Sequence, residues 1–233
     1  MSEHEQRRAE ALALACPAAR RVEVIGAHVL YLGDSAEIIP ALGRFDALVT
    51  DPPYGIKAAG GTGVRAGKKS AIAFADTGWD DCTADDLVAA AQAIAKHHII
   101  WGGNYYHLPP NACWLVWDKL NGATSFADVE LAWTNLPGAA RKIDHMWNGW
   151  HKRGGEKRLH PTQKPVRVME WCVDRLPKDA ASVFDPFMGS GTTAVAAVNT
   201  GRHYVGYDTD ADYAALAEKR IASERAGHRQ SSR

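Results

Sequence analysis

Short apolar runs and amphipathic stretches alternate along most of this 233-residue chain, and that alternation limits the fold more than any other feature. Val22–Ile25 and His28–Leu32 alternate polar and apolar residues around Gly26-Ala27, the pattern of a strand hairpin. Asp46–Thr50, His97–Trp101, Cys113–Trp117, Asp128–Thr134, Ser182–Phe184 and His203–Tyr207 read as further strands. Between them lie helical patterns. Asp34-Ser35 caps Ala36–Leu42, and a Thr83/Asp86 capping box opens a helix with Leu87, Val88, Ala91, Ile94 and Ala95 on one face. Val166–Leu176, Thr192–Thr200 and Asp210–Ser223 follow. Strands that alternate with helices predict an α/β fold with a mainly parallel sheet.

Composition excludes several classes. Hydrophobic residues make up 46%, enough for a sizeable core, and no apolar run approaches the ~20 residues of a membrane span. The start, Met-Ser-Glu-His-Glu-Gln, has no signal-peptide pattern. Cys16, Cys82, Cys113 and Cys172 lie far apart without a Cys-x-x-Cys, so reduced thiols and a cytoplasmic location are expected, with no metal site. Lys and Arg balance Asp and Glu at 27 each, so any nucleic-acid affinity has to be local. Two basic stretches qualify. One holds Lys57, Arg65, Lys68 and Lys69 in the glycine-rich loop from Gly55 to about Asp81; the other holds Arg141, Lys142, Lys152, Arg153, Lys157 and Arg158, with Trp147 and Trp150 interleaved. Solvated basic loops are the plainer reading of both.

Two segments carry chemistry. Asp51-Pro52-Pro53-Tyr54 closes the strand Asp46–Thr50. An exocyclic amine on adenine or cytosine is a poor nucleophile because its lone pair is delocalised into the ring. A site that accepts both N–H hydrogens can aim that lone pair at an electrophile. Asp51 offers a carboxylate and Pro52 a backbone carbonyl, while Pro52 and Pro53 bring no competing N–H and restrict the backbone. Tyr54 offers a face for an extruded base. A strand-to-loop punctuation is the structural alternative.

The second segment, Phe184-Asp185-Pro186-Phe187-Met188-Gly189-Ser190-Gly191-Thr192-Thr193, joins a strand to a helix, where backbone N–H groups and the helix dipole favour a ligand. Gly189 and Gly191 suit close approach of the ligand to the backbone. Gly189-Ser-Gly-Thr-Thr-Ala194 also satisfies the dinucleotide fingerprint, and Asp208 ends the next strand where an acid would hold ribose hydroxyls under either reading. A nicotinamide or flavin enzyme therefore competes at this point. Asp185-Pro186-Phe187 is unusual for a pyrophosphate turn, and only one further strand follows, which favours S-adenosyl-L-methionine.

These segments resemble the DNA amino-methyltransferases of the permuted β class, which methylate adenine N6 or cytosine N4, over roughly Leu32–Ile221. A His160-Pro-Thr-Gln-Lys-Pro165 segment stands between the tetrapeptide and the glycine loop, in the family's order, and Leu32-Gly-Asp-Ser35 and Trp79-Asp80 also fit. The resemblance implies a Rossmann-like methyltransferase fold in circularly permuted order, mainly parallel with one antiparallel hairpin strand. It implies catalysis by Asp51, Pro52, Pro53 and Tyr54, and S-adenosyl-L-methionine as cofactor. Phe184, Asp185, Phe187, Gly189, Gly191 and Thr192 would surround that cofactor, Asp208 its ribose, Asp34 and Ser35 its adenine, and Thr162 and Lys164 its carboxylate, with Asp51 touching both reacting groups. The Asp-Pro-Pro-Tyr spelling favours adenine N6; cytosine N4 is the alternative, and a non-catalytic nucleic-acid-binding protein a further one. Methyltransferases for RNA or for a protein amide generally place the cofactor loop first.

The expected layout is an N-terminal extension (1–21), a catalytic half (22–134), a short target-recognition insertion (135–159), a cofactor-binding half (160–223) and a disordered tail (224–233). DNA is the expected partner, met by Lys68, Lys69, Lys142, Lys152, Arg153, Lys157 and Arg158; no membrane partner is expected, and a homodimer is one option. A restriction-modification or an orphan phage methylase fits equally. One departure stands out. The hairpin strand reads Glu130-Leu-Ala-Trp133, where an aromatic nearer Leu131 would sandwich the base, so Trp133 is either that aromatic or core. Asn104 and Tyr105 either contact the base or form a turn.

Overall fold

The computed structural model of the chain describes residues 3–56, 83–122, 127–147, 156, 159 and 163–231. Among these, nine strands form one sheet: β1 (Arg21–Ile25), β2 (His28–Leu32), β3 (Phe45–Thr50), β4 (Ala95–Trp101), β5 (Trp114–Asp118), β6 (Val129–Thr134), β7 (Arg141–Asp144), β8 (Ser182–Asp185) and β9 (His203–Asp208). Their order across the sheet is β1-β2-β9-β8-β3-β4-β6-β5-β7. The central run β2, β9, β8, β3 and β4 is parallel. The antiparallel hairpin strand is β6, which opposes both β4 and β5, and β1 folds back on β2.

Helices α1 (Glu3–Ala15), α2 (Ser35–Ile38), α3 (Asp85–Ala93), α4 (Val166–Val173), α5 (Thr192–Asn199) and α6 (Ala211–Ser231) cover the two faces. Strand alternation sorts the core. Leu30, Val49, Ile99, Trp101, Val183 and Tyr204 pack with α4, α5 and α6, while their neighbours Val29, Leu48, Ile100, Phe184 and Val205 pack with α1, α2 and α3. No helix among the described residues is long and apolar enough to cross a membrane.

Several elements differ from expectation, each for a physical reason. Residues 135–159 contain a strand: β7 pairs with β5 from Leu115↔Arg141 to Asp118↔Asp144, so tertiary pairing finds a strand where alternation is weak. The tail is helical through Ser231, because Glu224-Arg-Ala226 continues a run of good helix formers and Gly227 costs only about 1 kcal/mol. At the other end α1 is docked: Ala9 and Cys16 are buried and the Tyr31 hydroxyl donates to the Leu12 carbonyl at 2.5 Å. Pro40 tightens the end of α2 into a 3-10 turn over Ile39–Ala41. The capping box of α3 does not form. Ala84 is the N-cap, Thr83 bridges to Tyr54, and its hydroxyl donates to Asp85 at 2.5 Å.

The chain leaves β8 toward β9 on one side, and it leaves β3 toward β4 on the other. The crevice beyond the carboxyl ends of β8 and β3 is therefore the topological switch point, where doubly wound sheets bind ligands.

Candidate active site

Both chemistry-bearing segments end their strands at this switch point. β3 ends at Thr50 and delivers Asp51; β8 ends at Asp185 and delivers the glycine loop. The Thr50 hydroxyl donates to Asp185 Oδ1 at 2.7 Å and ties the two strand ends together.

Around Asp51 the side chains form a compact charged cluster. Lys164 Nζ, at only 4% side-chain exposure, lies 2.6 Å from Asp51 Oδ1 and 2.9 Å from Glu130 Oε2. The same ammonium donates to the Tyr54 hydroxyl at 2.9 Å, and Tyr54 donates in turn to Asp51 Oδ1 at 2.5 Å. Those three contacts match the three hydrogens of an ammonium. The cation also lies 5.1 Å from the Trp101 ring centroid and 5.4 Å from that of Tyr54, within cation–π range. Glu130 Oε1 is paired in turn with Lys119.

Two consequences follow for Asp51. Both donors converge on Oδ1, and Oδ2 has no hydrogen-bond partner among the described residues. Burial raises the Asp51 carboxyl above its ordinary value; Lys164 opposes that and Glu130 adds to it. Burial also works against the charge of Glu130, but Lys164 and Lys119 together hold it down to about 2. Lys164 stays a cation: burial disfavours its charge, yet Asp51 and Glu130 raise it above the usual lysine value.

Backbone acceptors complete this half. The Pro53 carbonyl accepts from the Tyr106 hydroxyl, whereas the Pro52 carbonyl has no hydrogen-bond partner among the described residues. Tyr54 stacks on the exposed Tyr105 ring, with centroids 5.1 Å apart and planes 16° from parallel. Gly102 lies against the Tyr54 ring itself: at φ +64°, a Cβ there would lie 2.1 Å from Tyr54 Cε1. Trp133 is core. Its indole N–H donates to the Pro109 carbonyl at 2.7 Å and its ring packs against His98. Asn104 is exposed in the 3-10 turn Gly103–Tyr105.

The glycine loop is organised by two carboxylates. Asp185, 1% exposed, accepts from Phe187 N at 3.1 Å as well as from Thr50, and burial pushes it up to about 6. Asp208, at the end of β9, accepts from Gly189 N and Asp210 N at 2.8 Å each, and burial likewise raises it to about 6. Gly33 N donates to the Asp208 carbonyl at 3.0 Å, and the Ser35 hydroxyl donates to the Pro186 carbonyl at 3.3 Å. Asp34 spends one oxygen capping α2 through Ala36 N. Thus Asp34, Ser35, Phe187, Gly189 and Asp208 gather at one edge. Phe184 points away: its ring is fully buried, stacked on Phe45 at 4.8 Å. Gly191 answers to packing, since a Cβ at its φ of +76° would lie 2.6 Å from Ala217 Cβ on α6. Thr192 Oγ1 accepts from Arg220 of α6 at 3.2 Å.

Of the expected DNA contacts, Lys142 is described, on the edge strand β7, where it pairs with Asp118 at 3.1 Å and Asp144 at 2.9 Å. Lys68, Lys69, Lys152, Arg153, Lys157, Arg158 and the cofactor residue Thr162 lie outside the described residues, as do His160, Pro161 and Trp79-Asp80. Sequence reasoning does not single out Glu130 or Lys119. The signal is a glutamate near the start of an otherwise apolar strand.

A family model described as DNA methylase matches residues 97–219. The chain is 36% identical over 86 residues to the type II methyltransferase M2.DpnII of Streptococcus pneumoniae, covering 36% of this chain and 32% of that protein. To the putative methylase YubD of Escherichia coli K12 it is 39% identical over 75 residues, 32% of either chain. The alignments thus span about a third of these relatives' own length. Among solved structures, M1.HpyAVI with SAM superposes at a TM-score of 0.55 and 23% identity, covering 82% of this chain and 98% of that one. PvuII DNA methyltransferase, described as cytosine-N4-specific, does so at 0.51 and 14% identity, covering 82% and 85%. At these identities the likeness is one of fold.

Proposed function

Because this chain belongs to the DNA methylase family of the N6-adenine/N4-cytosine class, we propose that it transfers a methyl group from S-adenosyl-L-methionine to adenine N6 of a base flipped out of DNA. The observation that carries the reading is the state of Asp51. One carboxylate oxygen is held by two donors, the other has no partner among the described residues, and the unpartnered Pro52 carbonyl lies one residue away. That pair of acceptors suits the two hydrogens of an exocyclic amine.

The residues at the crevice fit the cofactor. Asp208 presents a half-exposed carboxylate suited to vicinal hydroxyls, with half-exposed Phe187 and left-handed Gly189 beside it, and Ser35 and Asp34 close the same edge. When bound, S-adenosyl-L-methionine supplies an electrophilic methyl on a positive sulfur and is left as a neutral thioether. The chain's own residues then have three tasks. Tyr54, backed by Tyr105, receives the face of the base and helps offset the few kcal/mol of unstacking. Asp51 Oδ2 and the Pro52 carbonyl accept from the amine and turn its lone pair out of the ring. The methylated nitrogen carries one hydrogen too many, and Asp51 Oδ2 takes it. Positioning and fixed charges carry most of the rate.

Mass spectrometry of nucleosides from DNA incubated with protein and cofactor tests this directly. N6-methyladenine is the expected product; N4-methylcytosine would move the reading to cytosine, and neither product would end it. Asp51→Ala is expected to abolish transfer while cofactor binding, followed by calorimetry, weakens but persists.

A further inference from the structure

We propose that Glu130 is a positioning residue: it anchors the Lys164 ammonium so that this cation clamps Oδ1 of Asp51 and leaves Oδ2 turned to the substrate amine. The inference rests on the functional reading above and adds a residue to it.

β6 runs against its neighbours, so its first residues lie at the same edge as the last residues of β3 and β4; Gly102 N, just past β4, donates to the Leu131 carbonyl at 2.8 Å. A residue near the start of an antiparallel strand therefore reaches a crevice otherwise built from strand ends. Glu130 is that residue, and it faces the α4 side together with Ala132 and Trp101. Lys164 enters from that side, two residues before α4.

Charge fixes the geometry next. Lys119, Glu130, Lys164 and Asp51 form an alternating row, with contacts of 2.9 Å and 2.6 Å on either side of Lys164. A lone buried ammonium beside Asp51 would collapse onto the carboxylate and compete with the substrate amine. Glu130 shares the cation and Lys119 holds Glu130 from outside. Lys164 is then kept at Oδ1, where the Tyr54 hydroxyl also binds. The other titratable groups around Asp51 are Asp185 on β8, which repels it weakly, and Tyr106, whose hydroxyl is committed to the Pro53 carbonyl.

Glu130→Gln and Lys164→Met separate this role from packing because they act with opposite sign. Asp51 must be ionised to accept the amine hydrogens, so activity rises with pH through its titration. Glutamine removes a negative neighbour and leaves Lys164 to Asp51 alone, so the acid limb of kcat should move down by roughly one pH unit. The weakened acceptor should lower the plateau about tenfold, less than the roughly 10²–10⁴-fold that a positioned acid or base contributes, because Asp51 itself remains. KM for DNA and cofactor should change by no more than about twofold. Methionine at 164 removes the attraction, and the limb should move up. Glu130→Asp keeps the charge on a shorter arm and should hold the limb in place with part of the rate; it also serves if glutamine prevents folding.

A readout without cofactor runs alongside: NMR titration of aspartate carboxyl carbons in the apoprotein, with Asp51 assigned by the signal lost in Asp51→Asn. It should show the same opposite shifts. If wild type methylates DNA while Glu130→Gln leaves both kcat and limb unchanged, or both variants move the limb the same way, the inference is overturned and the functional reading stands. If wild type transfers no methyl group, the functional reading falls, and with it the catalytic part of this inference.

Discussion

At the scale of single residues, the site is a set of carboxylates whose environments assign them different work. Asp51 keeps one oxygen unpartnered among the described residues, whereas Asp185 spends both of its oxygens inside the protein, Oδ1 on Thr50 and Phe187 N and Oδ2 on the Tyr204 hydroxyl at 3.5 Å, with the Thr193 side chain a further donor. That burial has a stability consequence whose sign is definite. A carboxyl raised to about 6 in the folded state, against an ordinary 3.8, binds more protons folded than unfolded between those values. Stability then falls as pH rises through the window, and ionised Asp185 costs the fold energy at pH 7. Asparagine is nearly isosteric; its oxygen can accept from both Thr50 and Phe187 N, which share Oδ1, and its NH2 in the place of Oδ2 can donate to the Tyr204 hydroxyl, which turns to accept. Asp185→Asn is therefore expected to stabilise the apoprotein at pH 7 by about 1–3 kcal/mol. Thermal melts at several pH values should show the gain shrinking toward pH 4.

At the scale of elements, the glycine loop illustrates how one residue type serves two causes. In the sequence, Gly191 reads as a residue that lets a ligand approach the backbone. In the fold its position is demanded by α6, whose Ala217 Cα would lie 2.9 Å from an added Cβ, and by a left-handed backbone that disfavours other residues. Gly191→Ala should destabilise the protein by roughly 1–3 kcal/mol in denaturant unfolding. Adding Ala217→Gly should recover part of that loss, the steric part, and leave the cost of the positive φ. A variant that lost cofactor affinity with unchanged stability would restore the ligand explanation. β6 makes the complementary point, since its reversed direction brings Glu130 to the edge where Lys164 meets Asp51.

At the scale of the whole molecule, a net charge of zero means that the DNA of the proposed reaction would have to be held by local basic segments and by the pocket. β7 sharpens the question of specificity. It claims 141–144 for the sheet and pairs Lys142 with Asp118 and Asp144, so the expected recognition stretch keeps only 135–140 and 145–159 for reading bases. Each bidentate base contact needs its own side chain. A short or relaxed target sequence is expected, and profiling methylated positions across a mixed genome would reveal it; a long, strict motif would contradict it.

What the chain spelled out by itself was the parallel α/β core and the two strand-end segments. Both follow from local rules: side-chain period separates strand from helix, and Asp-Pro-Pro-Tyr and the glycine loop are short enough to read in place. Long-range contacts decided the rest. Nothing near Glu130 in sequence announces that it will meet Lys164, because the meeting depends on β6 running antiparallel and on α4 packing over that face. Nothing near Arg141 makes a strand until β5 offers an edge. Burial by distant elements likewise turns Asp185 inward. Local propensity writes the elements, while charge pairing and burial, which join residues far apart in the chain, decide what each carboxylate is for.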